Sequence, residues 1–178
     1  MIRLKRTVAL VGMMGAGKSS LGRRLASRLE VPFRDADTEI ETAAGCSINE
    51  IFARFGEPAF RDGERKVVAR LLGLPAHVLA TGGGAFADDA TRARIKDEAV
   101  SVWINVPLKV LIERVGRRDT RPMLKDGDPA EIMTRLYQER EPLYAQADLT
   151  ISSEDSPHQA AVESIVALLR DRDLLEEA

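Results

Sequence analysis

A single cysteine, Cys46, leaves no internal disulfide to form, which fits a reducing compartment. It stands in AAGCSINE with no second thiol nearby, too few ligands for a metal site. Long apolar runs are also missing. The longest early one, Val8–Val11, is far short of the roughly 18–20 residues a membrane span needs. The basic opening MIRLKR is not followed by the apolar stretch or cleavage site of a secretory signal. Neither sign of charge dominates: 26 Lys and Arg face 28 Asp and Glu, a net charge of −2, which argues against a general nucleic-acid binder. No repeat, low-complexity tract or Pro/Gly-rich linker divides the chain, so residues 1–178 are expected to form one domain with a sizeable core. The N-K-x-D signature expected of a guanine-binding switch is absent too.

The chain does contain a regular alternation. Apolar residues make up 44% and charged residues 30%, as in soluble globular proteins. TVALVG is continuously apolar and predicts a buried strand. Leu21, Leu25 and Leu29 then recur at helical spacing, so a helix is expected from about Lys18. VPFRDAD contains a second short strand, HVLAT a third, VSVWIN a fourth and DLTIS a fifth. Between them SINE reads as a capping box, with Ser47 and Glu50 satisfying each other's backbone. Pro58 suits the first turn of a further helix running to about Leu72. Helices are also expected over 88–97, after Pro107, from about Ala130 to Ala145, and at the end with Ser156 as cap and Pro157 in the first turn. Strands alternating with helices imply a parallel sheet covered on both faces. Ligands in such sheets collect at the carboxyl ends of the strands.

GMMGAGKSS falls at such an end. Gly12 to Ser19 matches G-x-x-x-x-G-K-[S/T] between a strand and a helix. Glycine lets successive N–H groups converge on phosphate oxygens. The helix start adds unsatisfied N–H groups and a partial positive charge. Lys18 can reach the β- and γ-phosphates, and Ser19 offers a hydroxyl to Mg²⁺. A nucleoside triphosphate is the expected ligand.

The remaining motifs bear on what receives the phosphate. In DAD, strand periodicity would turn Asp35 and Asp37 the same way, one toward Mg²⁺ and the other toward a substrate hydroxyl; a solvated turn would look the same. In FRDGE, Arg61 and Glu64 are spaced to pair on a helix, either as a surface ion pair or as an arginine held toward an anionic substrate. Gly82, Gly83 and Gly84 suit a ligand lying flat on the backbone, or else a flexible connection. The stretch GRRDTRPMLKDGDP (116–129), with Arg117, Arg118, Arg121 and Lys125 and with Arg114 beside it, reads as a basic lid or a solvated loop. A phosphotransferase needs such cations and a cover against water. Arg140, in REPLY, is a second candidate anion clamp.

With GMMGAGKSS, DAD, FRDGE, GGG, TRPML and REPLY in this order, the chain resembles shikimate kinases, small P-loop kinases related in fold to nucleoside monophosphate kinases. The resemblance covers nearly the whole chain. It implies a three-layer α/β/α fold with a five-stranded parallel sheet in the order 2-3-1-4-5 and a mobile lid at about 114–128. It implies transfer of the ATP γ-phosphoryl group to the 3-hydroxyl of shikimate, with ATP as co-substrate and one Mg²⁺ per subunit. It implies contacts to ATP at Gly15, Ala16, Gly17, Lys18, Ser19, Ser20, Arg114 (near adenine) and Arg121. Ser19 would hold the Mg²⁺, with Asp35 behind it through water. Shikimate would meet Asp37, Arg61, Gly82, Gly83, Gly84 and Arg140, with the Gly83 N–H donating and the two arginines on the carboxylate. Asp37, Lys18 and Arg121 would surround the transfer itself. A cytoplasmic monomer with no nucleic-acid or membrane partner is the corresponding expectation. Two departures stand out. SSEDSP is acidic where some relatives carry an arginine near adenine, and TRPML has Met123 where leucine is common. The runner-up readings are another small-molecule kinase, such as a gluconate kinase, and a nucleotide-binding switch without an acceptor. The favoured reading requires Lys18, Asp37, Arg61 and Arg140 to face one shared mouth.

Overall fold

The computed structural model describes residues 2–117, 127–153 and 158–177. Five strands form one parallel sheet: β2 (Val8–Val11), β3 (Phe33–Asp35), β4 (Val78–Ala80), β5 (Val100–Asn105) and β6 (Leu149–Ser152). Their spatial order is β3-β4-β2-β5-β6. Counted among themselves this is 2-3-1-4-5, as the family resemblance implies. Consecutive strand residues point to opposite faces, and all four of Val8–Val11 are 0% exposed, so both faces of the central strand are covered.

The cover comes from α1 (Lys18–Leu29), α2 (Ala36–Ala44), α3 (Ile48–Leu72), α4 (Asp89–Glu98), α5 (Leu108–Gly116), α6 (Pro129–Tyr144) and α7 (His158–Asp171). Leu21, Leu25 and Leu29 of α1 are all buried, as their spacing requires. The long α3 is two helical stretches joined at Gly56, whose φ of 83° and ψ of 172° reverse the backbone where only glycine is comfortable. Pro58 therefore opens the second stretch, as expected.

Three features differ from the sequence reading. Residues after Asp35 leave the strand at once and form α2, because the Asp35 carboxylate accepts from the N–H groups of Asp37 and Thr38 and so caps a helix. Ser47 caps α3 by accepting from the Glu50 N–H, but Glu50 pairs with Arg54, and the Ile48 N–H goes to Glu41. A short antiparallel ribbon, β1 (Ile2–Leu4) with β7 (Leu175–Glu177), is an addition to the expected sheet. The expected cap of α7, Ser156 and Pro157, lies outside the described residues.

Register fixes where the site forms. Leu10 stands opposite Ala80 on one side and Val102 on the other, and Asp35 opposite Ala80. Gly12, Asp35 and Thr81 thus emerge along one edge. From β2 the chain crosses to β3 on one side, and from β5 to β6 on the other, so the connections part between β2 and β5 and open a crevice there.

Candidate active site

The loop after β2 wraps a helix start that no side chain closes. Gly17 is the N-cap of α1 with φ 86°, and its cap makes no side-chain hydrogen bond. The first turn of α1 also carries no acid. By contrast Asp35, Ser47, Asp88 and Asp128 each cap their own helices. The first N–H groups of α1 are thus left for an anion. Lys18 is buried, and its Nζ donates to the carbonyls of Gly12 at 2.6 Å and Met13 at 2.9 Å, which holds the ammonium over the loop.

Asp35 and Asp37 reach this loop by a route other than strand alternation. Ser19 donates to Oδ2 of Asp35, while Oδ1 of Asp35 receives the Asp37 N–H at 3.0 Å. One carboxylate thereby ties the phosphate loop to α2. Asp37, in the first turn of α2, lies against the glycine run: a Cβ on Gly82 would stand 2.9 Å from its Oδ1.

The same imagined Cβ would stand 3.0 Å from Oε2 of Glu64, so two carboxylates share Gly82. The side chain of Glu64 is 1% exposed, and its Oε1 accepts from Arg61 Nη1 at 2.9 Å. Burial raises the Glu64 pKa, Arg61 opposes the rise, and the charges of Asp37 and Asp88 add to it. Arg61 in turn lies so close to Gly84 that a Cβ there would fall 2.4 Å from its Nη2. On the other side, Arg140 is 6% exposed and donates to the Gly83 carbonyl at 3.1 Å. Tyr144, one helical turn along α6, donates to the same carbonyl, and burial pushes its hydroxyl pKa up to about 12. Glycine at 82 and 84 is thus explained by close approach, to Asp37 and Glu64 and to Arg61 respectively, whereas a Cβ on Gly83 would stand 3.2 Å from the backbone nitrogen of Met14.

The four groups required to share one mouth are found on two adjoining cavities. Lys18, Ser19, Ser20, Asp37 and Gly83 line one of about 520 Å³. Arg61, Gly84 and Arg140 line another of about 580 Å³. Lys18 and Asp37 therefore lie on one cavity and Arg61 and Arg140 on the other, and the two linings meet at the adjacent residues Gly83 and Gly84.

Arg114 is on α5 rather than in a lid, and its Nη1 donates to the Gly15 carbonyl at 3.1 Å across the phosphate cavity. Of the lid expected at about 114–128, residues 114–116 belong to α5 and Asp128 caps α6. Arg121, with residues 118–126, lies outside the described residues. Arg23 and His158 also line the phosphate cavity and were not anticipated. A lone histidine in the first turn of the last helix carries no motif. Tyr144 was legible in principle, since four residues separate it from Arg140 on one helix face. No group of three or more His, Cys, Asp or Glu positioned for a metal occurs among the described residues. Ser19 and Asp35 alone fit Mg²⁺, which takes one or two protein oxygens and completes its shell with phosphates and water.

A sequence model of the family described as shikimate kinase matches residues 14–170. A shikimate kinase of Caulobacter vibrioides (strain NA1000 / CB15N) is 56% identical over 165 residues, covering 93% of this chain and 82% of that protein. One from Novosphingobium aromaticivorans is 55% identical over 168 residues, covering 92% and 87%. Among solved structures, the shikimate kinase of Acinetobacter baumannii in complex with shikimate superposes with a TM-score of 0.92 at 35% identity, covering 95% of each chain.

Proposed function

The chain belongs to the shikimate kinase family, and from that premise we propose that it transfers the γ-phosphoryl group of ATP to the 3-hydroxyl of shikimate, giving ADP and shikimate 3-phosphate. One observation carries the reading for these residues: Asp37, beside the phosphate loop, and Glu64, which holds Arg61, lie against the same glycine. A small ring resting on Gly82–Gly84 then has a carboxylate near its hydroxyls and guanidinium groups near its own carboxylate. Arg61 and Arg140 supply the forks that fit a carboxylate.

Phosphoryl transfer through a loose transition state asks for position and charge more than for a strong base. The N–H groups of Gly15, Ala16 and Gly17 and the start of α1 at Lys18, Ser19 and Ser20 hold the phosphates. Lys18 neutralises charge on the moving group. Asp37 orients the attacking hydroxyl and takes its proton late. Ser19, with Asp35 behind it through water, would hold one Mg²⁺, which when bound neutralises phosphate charge. Arg114 approaches adenine from α5, and Arg121 brings a further cation from the lid. The protein acts as one kinase domain, monomeric and cytoplasmic. No helix of the described residues is long and apolar enough to cross a membrane.

An ADP-release assay against a panel of hydroxy acids tests this. Shikimate should accelerate ADP release strongly over the other acids. Acceleration by gluconate instead, or by no acceptor at all, would overturn the assignment.

A further inference from the structure

The transfer reaction leaves one buried group unexplained, the second oxygen of Glu64. Its carboxylate is almost wholly buried, and Oε2 has no hydrogen-bond partner among the described residues. A buried carboxylate in that state is costly unless its charge is matched. From α3 it faces Arg61, its hydrogen-bonded counter-charge at 2.9 Å; Glu57 sits on the same guanidinium at 3.5 Å, and Arg65 is paired with Asp88 at 2.7 Å. From α2 it faces Asp37, and from the segment after β4 it faces Asp88. From α6 come Arg140, which donates to the Gly83 carbonyl, and the neutral phenol of Tyr144.

Two guanidinium groups, Arg61 and Arg140, thus stand among Glu64, Asp37 and the more exposed Glu57. A substrate carboxylate docking on Arg61 adds another negative charge and competes for the cation that stabilises Glu64. Neutralising the least solvated acid is the least costly response, and Oε2 is the oxygen with its lone pairs unused. The environment already leans that way, since burial raises the pKa of this group before any substrate arrives.

We propose that docking of shikimate on Arg61 is coupled to uptake of one proton by Oε2 of Glu64. This rests on the functional reading above and adds a linkage to it. The proton comes from water or buffer, a single O–H bond forms, and the proton returns to solvent when the product leaves. Glu64 acts through Arg61 and is a positioning residue rather than a catalytic one.

Calorimetric titration of shikimate into the full chain near neutral pH, in buffers of different ionisation enthalpy, reads the proton directly. The apparent heat should vary with buffer, giving uptake approaching one proton. The variation should vanish in Glu64→Gln and persist in Asp37→Asn. Buffer-independent heats in the unmodified protein would overturn the linkage, as would undiminished uptake in Glu64→Gln. Should Glu64→Gln not retain shikimate, the unmodified protein's affinity against pH decides. A fall of up to about tenfold per unit as pH rises supports uptake, and a flat profile overturns it. Failure of the unmodified protein to bind shikimate at all would instead overturn the functional reading, a result distinct from binding without a proton.

Discussion

Asp37→Asn keeps the shape of the side chain and removes its charge. If Asp37 orients the acceptor hydroxyl, turnover should fall by about a hundredfold, at the low end for a general base, with ATP affinity little changed. Turnover within a few-fold of the unmodified rate, in the same coupled assay, would place Asp37 away from the reacting oxygen. Arg61→Ala tests the other end of the acceptor. It removes one clamp and strands a buried carboxylate, so shikimate binding should weaken by about 2–5 kcal/mol, read by titration, with ATP binding preserved. Both positions stand out by motif alone, but the reason they lie against the glycine run does not. Asp35 and Asp37 look like two positions on one strand; in fact the first caps the helix that carries the second. A two-residue spacing cannot distinguish these cases, because Asp serves turns, caps and ligands alike.

Among elements, the glycines separate function from stability. The three atoms nearest a Cβ at Gly84 all belong to the guanidinium of Arg61, which would have to shift against Glu64. Gly84→Ala should therefore raise the KM for shikimate, with less loss of stability than a clash in the packed core causes. A Cβ at Gly22 would fall 2.6 Å from the Phe33 ring and 3.3 Å from Leu10 in the packed face of α1. Gly22→Ala should cost about 1–3 kcal/mol of stability in denaturant unfolding, as overpacking does. Reversal of this pattern between the two variants would show that the glycine run is structural. The five sheet strands were readable because buried parallel strands are continuous apolar runs, as in Val8–Val11. The ribbon of Ile2–Leu4 with Leu175–Glu177 was not, since three-residue strands carrying arginine and glutamate have no such signature. The grip of Arg140 and Tyr144 on the Gly83 carbonyl was illegible for a related reason, because both residues come from a helix far along the chain.

For the whole molecule, acid stability turns on His77 beneath the sheet. It is 0% exposed, its Nδ1 lies 2.8 Å from the Pro75 carbonyl and so carries the hydrogen, and its Nε2 has no hydrogen-bond partner among the described residues. Burial lowers its pKa in the folded state. Below the ordinary histidine value of about 6.5 the unfolded chain binds the extra proton, so stability falls as pH drops through that point. Glu64 runs the other way: its raised folded pKa gives stability at acid pH that is lost as pH rises. The His77 share is isolated by comparing melting temperatures of His77→Gln and the unmodified protein. Their difference should shift in favour of the variant between neutral pH and pH 5, and a constant difference would remove His77 from the acid response. The backbone reversal at Gly56 has a consequence for motion. It divides α3, whose second stretch carries Phe60, Val67, Val68, Leu71 and Leu72 into the core, while the first stretch reaches it through Phe52 on Phe60 and α2 through Glu39 on Arg70. Ala36, Ile40 and Ile51 are the buried residues of α2 and the first stretch, and Phe55 is 65% exposed. Such a unit opens before the sheet does, and its opening withdraws Asp37 from Gly82. Deuterium should therefore enter the amides of residues 38–55 early, and shikimate should slow that entry even at Ile48–Phe55, far along the pair from Asp37; equal labelling with and without shikimate would mean that the pair does not open as a unit.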